Sequence, residues 1–173
     1  KIKEKPHVEF KTLIDEDIPE ILYGDPLKLN QIVYNLLGNA VKFTSNGYIA
    51  LIIKLEDRSK DVVKISICIK DTGIGIAEEN LQHIFDPFVQ ENELIKEKYG
   101  GTGLGLSIVK EFIELMGGSI HCTSKKNEGT TFSVFLTFSL PKIEEKKEHI
   151  ESFVDQIVFK NSSLLIIEDN AVN

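Results

Sequence analysis

The sequence predicts a mixed α/β fold in which strands and amphipathic helices form one domain. Two observations carry this prediction. One long segment repeats its apolar residues at helical spacing, and several shorter segments alternate apolar with polar residues as half-buried strands do. At 173 residues, 42% of them hydrophobic and 27% charged, the chain has the size and composition of one ordinary globular domain with a tail.

The charge and the cysteine content narrow the range of functions. A net charge of −7 argues against general binding to nucleic acids. Arg58 is the only arginine, so a cationic contact to a phosphate elsewhere in the chain would use lysine. Cys68 and Cys122 have neither zinc-site spacing nor a disulfide pattern and lie in strand-like runs. We therefore expect buried, reduced thiols, which suit a cytoplasmic domain.

The two ends of the chain suggest that it belongs to a longer protein. It begins without Met and ends abruptly, so we expect an excised piece. It contains no apolar run of membrane-spanning length and no recognisable signal peptide. A membrane anchor elsewhere in the parent protein is compatible with both observations.

The first predicted elements are a strand and a long helix. Residues 8–14 form the strand, which ends at an acidic turn before Pro19. The helix is predicted from 24 to 44, with Asp25 as its N-cap and Pro26 at its first position. Its apolar stripe has the spacing i, i+3, i+4, i+7 and consists of Leu29, Ile32, Val33, Leu36, Leu37, Ala40 and Val41.

A second, polar stripe runs along the same helix. Gln31, Asn35, Asn39 and Lys42 follow one another at intervals of three or four residues and therefore share a face. Two carboxamides and an ammonium group on one face could hold a metal ion and a polyphosphate. A solvated helix edge would show the same pattern, so the helix alone does not decide between the two interpretations.

The next predicted element is a β-hairpin that ends in a carboxylate. After the turn signal Asn46-Gly47, strands are predicted at 48–55 and 62–70. The apolar face of the second strand consists of Val63, Ile65, Ile67 and Ile69. Asp71 continues the parity of this face, so its carboxylate is predicted to point toward the apolar side. A buried carboxylate needs a strong donor, which could be a backbone amide or a ligand.

Two glycine-rich turns follow the hairpin. Residues 71–76 (DTGIGI) hold two glycines that let the backbone turn tightly and approach a bulky ligand. A short helix is predicted at 78–85, and a polar segment then leads to 100–107 (GGTGLGLS). This loop opens an amphipathic helix that ends at Gly117-Gly118. A glycine loop before a helix N-terminus suits a phosphate, although this one is neither a Walker A loop nor a dinucleotide fingerprint.

The chain continues with two strands and a charged tail. Strands are predicted at 119–124 and 130–140, and the composition then shifts to charge in a linker that begins at Lys142. The segment 164–169 (LLIIED) is typical of a buried parallel strand that delivers carboxylates to a metal.

Together these segments resemble the catalytic, ATP-binding domain of a histidine kinase, over residues 6–140. Five motifs occur in the family's order, and the set at these spacings is a specific signal. They are 35–44 (NLLGNAVKFT), similar to the N box; 71–75 (DTGIG) and 101–106 (GTGLGL), similar to the two glycine boxes; 85–88 (FDPF), similar to the F box; and 129–132 (GTTF), similar to the last turn and strand. Residues 164–173 resemble the opening strand of a receiver domain, as in a hybrid histidine kinase.

The resemblance implies a fold and a domain organisation. The fold is a two-layer α/β (α+β) sandwich, a mixed sheet of about five strands with three helices on one face. The implied domains are a catalytic domain at 1–141, a charged linker at 142–162 and the first strand of a truncated receiver domain at 163–173. The implied partners are ATP, the receiver domain and an upstream dimerisation domain in a homodimeric parent.

The resemblance also implies the roles of individual residues. Asn39 would ligate Mg²⁺, and Asn35 and Lys42 would contact the phosphates of ATP and serve the transfer. Asp71 would accept a hydrogen bond from the adenine amino group, and Thr130 would support that contact through water. The residues implied to contact nucleotide are Asn35, Asn39, Lys42, Phe43, Asp71, Gly73, Gly75, Ile76, Phe85, Phe88, Gly101, Thr102, Gly103, Leu104, Gly105, Leu106 and Thr130.

Two further features follow from the resemblance. Residues 86–100 would form a flexible lid over ATP, braced by Phe85 and Phe88. The acceptor histidine would lie on the upstream dimerisation domain, because none of the histidines here has the required sequence context. Those histidines are His7, His83, His121 and His149.

Three functions stay open from the sequence. The first is a protein histidine kinase fragment that donates the γ-phosphate of ATP. The second is a nucleotide-hydrolysing ATPase of the same superfamily, members of which carry a Glu where this chain has Asn35. The third is a regulatory module that only binds nucleotide or a partner, against which the intact Asn39, Lys42 and Asp71 argue.

Overall fold

The computed structural model describes residues 5–88 and 103–141, and these form the predicted α/β fold. Its elements, in chain order, are β1 (Val8–Ile14), α1 (Pro26–Phe43), β2 (Gly47–Arg58), β3 (Val62–Asp71), α2 (Gly105–Leu115), β4 (Ser119–Lys125) and β5 (Gly129–Ser139). Each strand predicted within the described residues is present, and the first strand of the hairpin runs three residues further than its apolar pattern indicated. The predicted linker and receiver strand lie outside the described residues.

The five strands form one mixed sheet in the order β1-β2-β3-β5-β4. The strands β1 and β2 pair in parallel, whereas β2 with β3, β3 with β5 and β4 with β5 pair antiparallel. The parallel pair is possible because α1 connects its two strands, as a crossover requires. The predicted mixed sheet of about five strands is therefore confirmed.

The hydrophobic core lies between one face of this sheet and the two helices. The side chains of alternate residues in β3 and β5 form the sheet side, and in β3 they are the predicted apolar face. The helices contribute their apolar stripes, whose fully covered members are Ile32, Leu36, Ala40, Val109 and Ile113. Both helices thus cover the same face, which gives the two layers that were predicted.

The prediction of three helices is wrong for the part of the chain that the structure describes, which contains two α-helices. The predicted helix at 78–85 is a single 3₁₀ turn, Glu78–Asn80, followed by further turns. The N–H groups of Leu81, His83 and Asp86 each donate to the carbonyl three residues earlier. Eight residues with no side-chain cap are too few to offset the cost of helix nucleation, so the tighter turns prevail.

The ends of α1 are held by specific hydrogen bonds. The Asp25 side chain accepts from the N–H groups of Leu27 and Lys28, at 3.1 and 3.0 Å, as the predicted N-cap should. At the other end, the Lys5 ammonium donates to the carbonyls of Val41 and Thr44. A cation at the carboxyl end also suits the helix dipole. These contacts position the polar stripe of α1.

Two smaller predictions have different outcomes. The predicted end of α2 at Gly117-Gly118 is confirmed, because Gly117 has a φ of +69° and its N–H donates to the carbonyl of Glu114. Cys68 and Cys122 are free thiols as expected, but both are half-buried rather than buried. Within the described residues, neither α-helix has the length and hydropathy needed to cross a membrane.

Candidate functional site

The candidate site lies where β3 ends, and its central group is the Asp71 carboxylate. The parity prediction is confirmed, because Asp71 is only 6% exposed and continues the core face of β3. Across the sheet, Asp71 pairs with Ile49 on β2 and Thr130 on β5, and Thr130 pairs with Ser124 on β4. Side chains that pair directly across antiparallel strands share a face, so these residues form one row.

Protein groups provide only some of the hydrogen bonds that the buried Asp71 carboxylate can accept. The Gly73 N–H donates to Asp71 Oδ1 at 2.8 Å. Burial raises the pKa of the Asp71 carboxyl, while backbone hydrogen bonds from Gly73 and Thr130, and the proximity of the Thr44 hydroxyl, lower it. Burial is the largest of these effects, so the site has a strong acceptor that the fold alone does not fully compensate.

The glycine turn after β3 packs closely on three sides, which explains its composition. A Cβ on Gly73 would lie 2.5 Å from the Phe43 carbonyl oxygen and 2.8 Å from Asp71 Oδ1. Gly75 has a φ of +64°, and a Cβ there would lie 2.0 Å from the Lys125 carbonyl oxygen. Only glycine fits at either position, and the turn therefore joins the end of α1 to the β4–β5 hairpin.

Three further residues, Thr44, Cys122 and Ser124, belong to the site although none of them was predicted as a site residue. Thr44 is fully buried, and within the described residues its hydroxyl has no hydrogen-bond partner of normal geometry. Burial raises the pKa of the Cys122 thiol to about 12, and the charge of the nearby Asp71 carboxylate is the second cause of this shift. The alternation of β4 could have identified Ser124, because Ser124 has the parity of Ile120 and Cys122, which pack against the core.

The polar stripe of α1 faces the beginning of α2. A Cβ on Gly105, the first residue of α2, would lie 3.7 Å from Asn35 Oδ1. The Asn35 Nδ2 is buried and has no hydrogen-bond partner among the residues that the structure describes. Burial lowers the pKa of Lys42, whose Nζ lies 4.8 Å from the centre of the Phe43 ring. Asn39 is half-buried one helical turn after Asn35.

The start of α2 lies beside this stripe and has no side-chain cap among the residues that the structure describes. Its N-cap residue, Leu104, makes no side-chain cap, and Gly103 before it has a φ of +74°. The Ser107 hydroxyl donates to the Leu104 carbonyl at 2.9 Å rather than capping an N–H group. An uncapped helix N-terminus next to a buried amide donor is suited to an anion. Leu106 is half-buried in the first turn and packs against the core.

The remaining predicted residues are divided between the core, the surface and the undescribed part of the chain. The rings of Phe85 and Phe132 meet edge to face at 6.3 Å between centroids. Phe88 is 74% exposed, and its N–H donates to the Gly103 carbonyl at 3.2 Å. Gly101, Thr102 and all but the first three residues of the predicted lid lie outside the described ranges.

A protein-family model and several known proteins match this chain. The family described as histidine kinase-, DNA gyrase B-, and HSP90-like ATPase matches residues 24–140. The chain is 41% identical over 153 residues to the autoinducer 2 sensor kinase/phosphatase LuxQ of Vibrio vulnificus, covering 88% of this chain and 18% of LuxQ. It is 39% identical over 141 residues to hybrid signal transduction histidine kinase A of Dictyostelium discoideum, covering 78% of this chain and 7% of that protein.

Solved structures show the same similarity. Full-length ShkA in complex with AMPPNP is 31% identical, with a TM-score of 0.63, and the match covers 79% of this chain and 27% of ShkA. The catalytic domain of histidine kinase ThkA in a nucleotide-free form is 27% identical, with a TM-score of 0.58, covering 79% of this chain and 83% of that domain. The chain thus spans less than a fifth of LuxQ but corresponds to most of an isolated catalytic domain.

Proposed function

The chain belongs to the histidine kinase-, DNA gyrase B- and HSP90-like ATPase family, and from that premise we propose that it binds Mg²⁺-ATP and donates the γ-phosphate to a histidine. The acceptor histidine would lie on a dimerisation domain of a homodimeric hybrid sensor kinase, of which this chain is the catalytic domain. The similarity to sensor and hybrid histidine kinases along most of the chain supports this branch of the family.

The observation that carries the nucleotide assignment is the buried carboxylate of Asp71. It lies at the end of a sheet strand, beside a glycine turn whose backbone packs closely against the carboxylate. An ionised carboxylate is an acceptor only, and the exocyclic amino group of adenine is a donor. Adenine bound there would replace the hydration that Asp71 loses on burial, and Thr130, its neighbour across the sheet, would contribute through water.

The phosphates would lie between α1 and the start of α2. Donors and positive charge would come from one side of the site. They belong to the Asn35 amide, the N–H groups at the start of α2 and the Lys42 ammonium. Phosphoryl transfer depends mainly on positioning and on neutralising charge at the phosphate oxygens, which is what these groups would do. The glycines at 101, 103 and 105 and residues Thr102, Leu104 and Leu106 would surround the phosphates.

A divalent cation would be held mainly by the nucleotide. Within the described ranges, no group of three or more His, Cys, Asp or Glu side chains is placed to hold a metal ion. Mg²⁺ keeps several waters and needs few protein oxygens, so the Asn39 amide oxygen with phosphate oxygens would suffice. Bound there, Mg²⁺ would neutralise charge on the phosphates. The unpartnered Asn35 amide in the same stripe supports a polyphosphate at this position.

The rest of the assignment concerns the surroundings of the nucleotide. The adenine base would be lined by Phe43, Gly73, Gly75, Ile76 and Phe85. Residues 86–100, including Phe88, would form the lid. We further propose that the domain is cytoplasmic, where ATP is available, and that it works with a receiver domain at 163–173 and beyond.

Hydrolysis by the same superfamily chemistry is the competing activity. ATPases of this group use a Glu as the base for water, and this chain has Asn35 in that position. An amide cannot accept the proton of a water molecule at neutral pH, so we expect transfer to a histidine rather than to water.

Incubation with γ-labelled ATP, with and without the histidine-containing dimerisation domain, tests the proposed function. We expect acid-labile label on the dimerisation domain, no label on this chain alone, and little ADP without the acceptor. The Asn39→Ala variant should lose the transfer. Asn30→Ala, which removes an exposed amide from the same helix, should keep it. Stable label on this chain alone, or rapid ADP release without the acceptor, would contradict the proposal.

A further inference from the structure

Ser124 of β4 makes three hydrogen bonds at the edge of the Asp71 site. Its Oγ accepts from the Ile76 N–H at 2.8 Å, contacts the Gly129 carbonyl oxygen at 2.9 Å, and lies 2.9 Å from Thr130 Oγ1. The three partners belong to the glycine turn after β3, the β4–β5 turn and the strand β5. One half-buried hydroxyl therefore connects three segments that surround the site.

The number of protons on a hydroxyl decides the direction of these hydrogen bonds. Serine has one proton and two lone pairs. The Ile76 N–H can only donate, so it uses one lone pair of Ser124, and the Gly129 carbonyl can only accept, so it takes the Ser124 proton. The remaining lone pair of Ser124 must accept the proton of Thr130, which fixes the direction of the Thr130 hydroxyl.

We propose that Ser124 is a positioning residue that makes Thr130 an acceptor toward the bound base. With its proton directed to Ser124, Thr130 presents only lone pairs beside the Asp71 carboxylate, its neighbour across the sheet. Two adjacent acceptors match an amino group and a water molecule that donates, whereas they oppose the carbonyl oxygen of a 6-oxopurine. This role rests on the proposed function, because it concerns how the ATP site distinguishes bases.

Selection of the base by Ser124 and simple support of the fold by Ser124 have different consequences for nucleotide binding. A purely structural Ser124 would affect every nucleotide equally, through the stability of the domain. A Ser124 that orients Thr130 changes the preference for adenine over guanine and acts only while the Thr130 hydroxyl is present. The preference and its dependence on Thr130 are therefore the informative quantities.

The test measures ATP and GTP affinity by calorimetry in the wild type, Ser124→Ala, Thr130→Val and the double variant. We expect Ser124→Ala to weaken ATP binding about fivefold, the effect of one neutral hydrogen bond, and to change GTP binding much less. In the Thr130→Val background, the same substitution should not change the ratio of the two affinities. Ser66→Ala, a buried serine on β3 whose hydroxyl bonds to Glu56, is the matched control and should leave both affinities unchanged.

Unfolding curves without nucleotide establish that each variant is folded. If Ser124→Ala is not, Ser124→Cys replaces it, and its weaker donor should give an intermediate preference for ATP. A ratio of ATP to GTP affinity in Ser124→Ala equal to that of the wild type, or effects of the two substitutions that simply add, would overturn the role of Ser124 alone. A wild-type chain that binds no ATP would overturn the proposed function and this inference with it.

Discussion

One face of β3 carries both apolar side chains and a carboxylate, at nearly the same depth. The apolar side chains are those of Val63, Ile65, Ile67 and Ile69, and the carboxylate is that of Asp71. The four apolar residues are at most 4% exposed, and Asp71 is 6% exposed. Opposite them on β5, the partners change from Phe138, Leu136, Val134 and Phe132 to Thr130. The apolar part gains stability from burial, whereas the carboxylate loses hydration that protein donors only partly replace.

The difference shows how a core position can be told from a site position of equal burial. A core residue is explained by its packing, so its removal should affect folding and little else. Burial of Asp71 works against its charged form, so its presence requires a reason outside stability. Substitutions at Ile69, Asn39 and Asp71 separate the stability that comes from packing from the binding that comes from the site. Their expected effects decrease in that order.

The largest effect should come from the apolar part of β3. Ile69 is fully buried, so Ile69→Ala should lower the free energy of unfolding by about 2–5 kcal/mol, because it removes apolar contacts and leaves a cavity. Urea denaturation without nucleotide measures this. Ile14→Ala, at a 55% exposed position of β1, is the matched control and should change stability by about 0.5 kcal/mol or less. Equal effects at both positions would contradict the described core.

An intermediate effect should come from the polar stripe of α1. Mg²⁺-ATP at 100 times its Kd should stabilise the wild type by about 2.7 kcal/mol, since it binds the folded state only. Asn39→Ala should remove most of this gain in a thermal-shift experiment, whereas Asn30→Ala on the exposed side of the helix should retain it. A gain that is unchanged in Asn39→Ala would rule out the metal role of this residue.

The smallest effect should be that of Asp71 on the stability of the nucleotide-free chain. Burial raises the pKa of this carboxyl above its ordinary value of 3.8. The protonated Asp71 carboxyl therefore makes its full contribution to folding stability when the pH is below 3.8. This contribution is lost as the pH rises through the folded-state pKa. At neutral pH, Asp71→Asn should be at least as stable as the wild type, and the difference should shrink on acidification. A variant clearly less stable at neutral pH would make Asp71 a structural residue.

The parts of the site that follow from local pattern were predictable. Period-two alternation places Asp71 on the core face of β3, and the Asp25-Pro26 pair marks the beginning of α1. Both are decided by residues within one element. The same local pattern predicted a helix at 78–85 wrongly, because apolar spacing does not distinguish a short helix from successive three-residue turns.

The parts that depend on distant segments could not be predicted. The approach of Gly105 to Asn35 joins residues on two helices, and the contact of Ser124 with Ile76 spans 48 positions in the chain. Strand pairing, in which β5 lies between β3 and β4, decides such contacts. The family resemblance supplied the roles of Asn35 and Gly105. The N-box motif included Thr44 without giving it a role, and no motif included Ser124.

Calorimetric titration of ATP and GTP into the wild type and Asp71→Asn tests most directly that Asp71 reads the base. Guanine places a carbonyl oxygen where adenine has its amino group, and two opposed acceptors in a buried site cost about 1–3 kcal/mol. The wild type should therefore prefer ATP at least about tenfold, which corresponds to 1.4 kcal/mol. Asp71→Asn should weaken ATP binding and narrow the preference. Equal affinity of the wild type for both nucleotides, or unchanged ATP affinity in the variant, would contradict this account of Asp71.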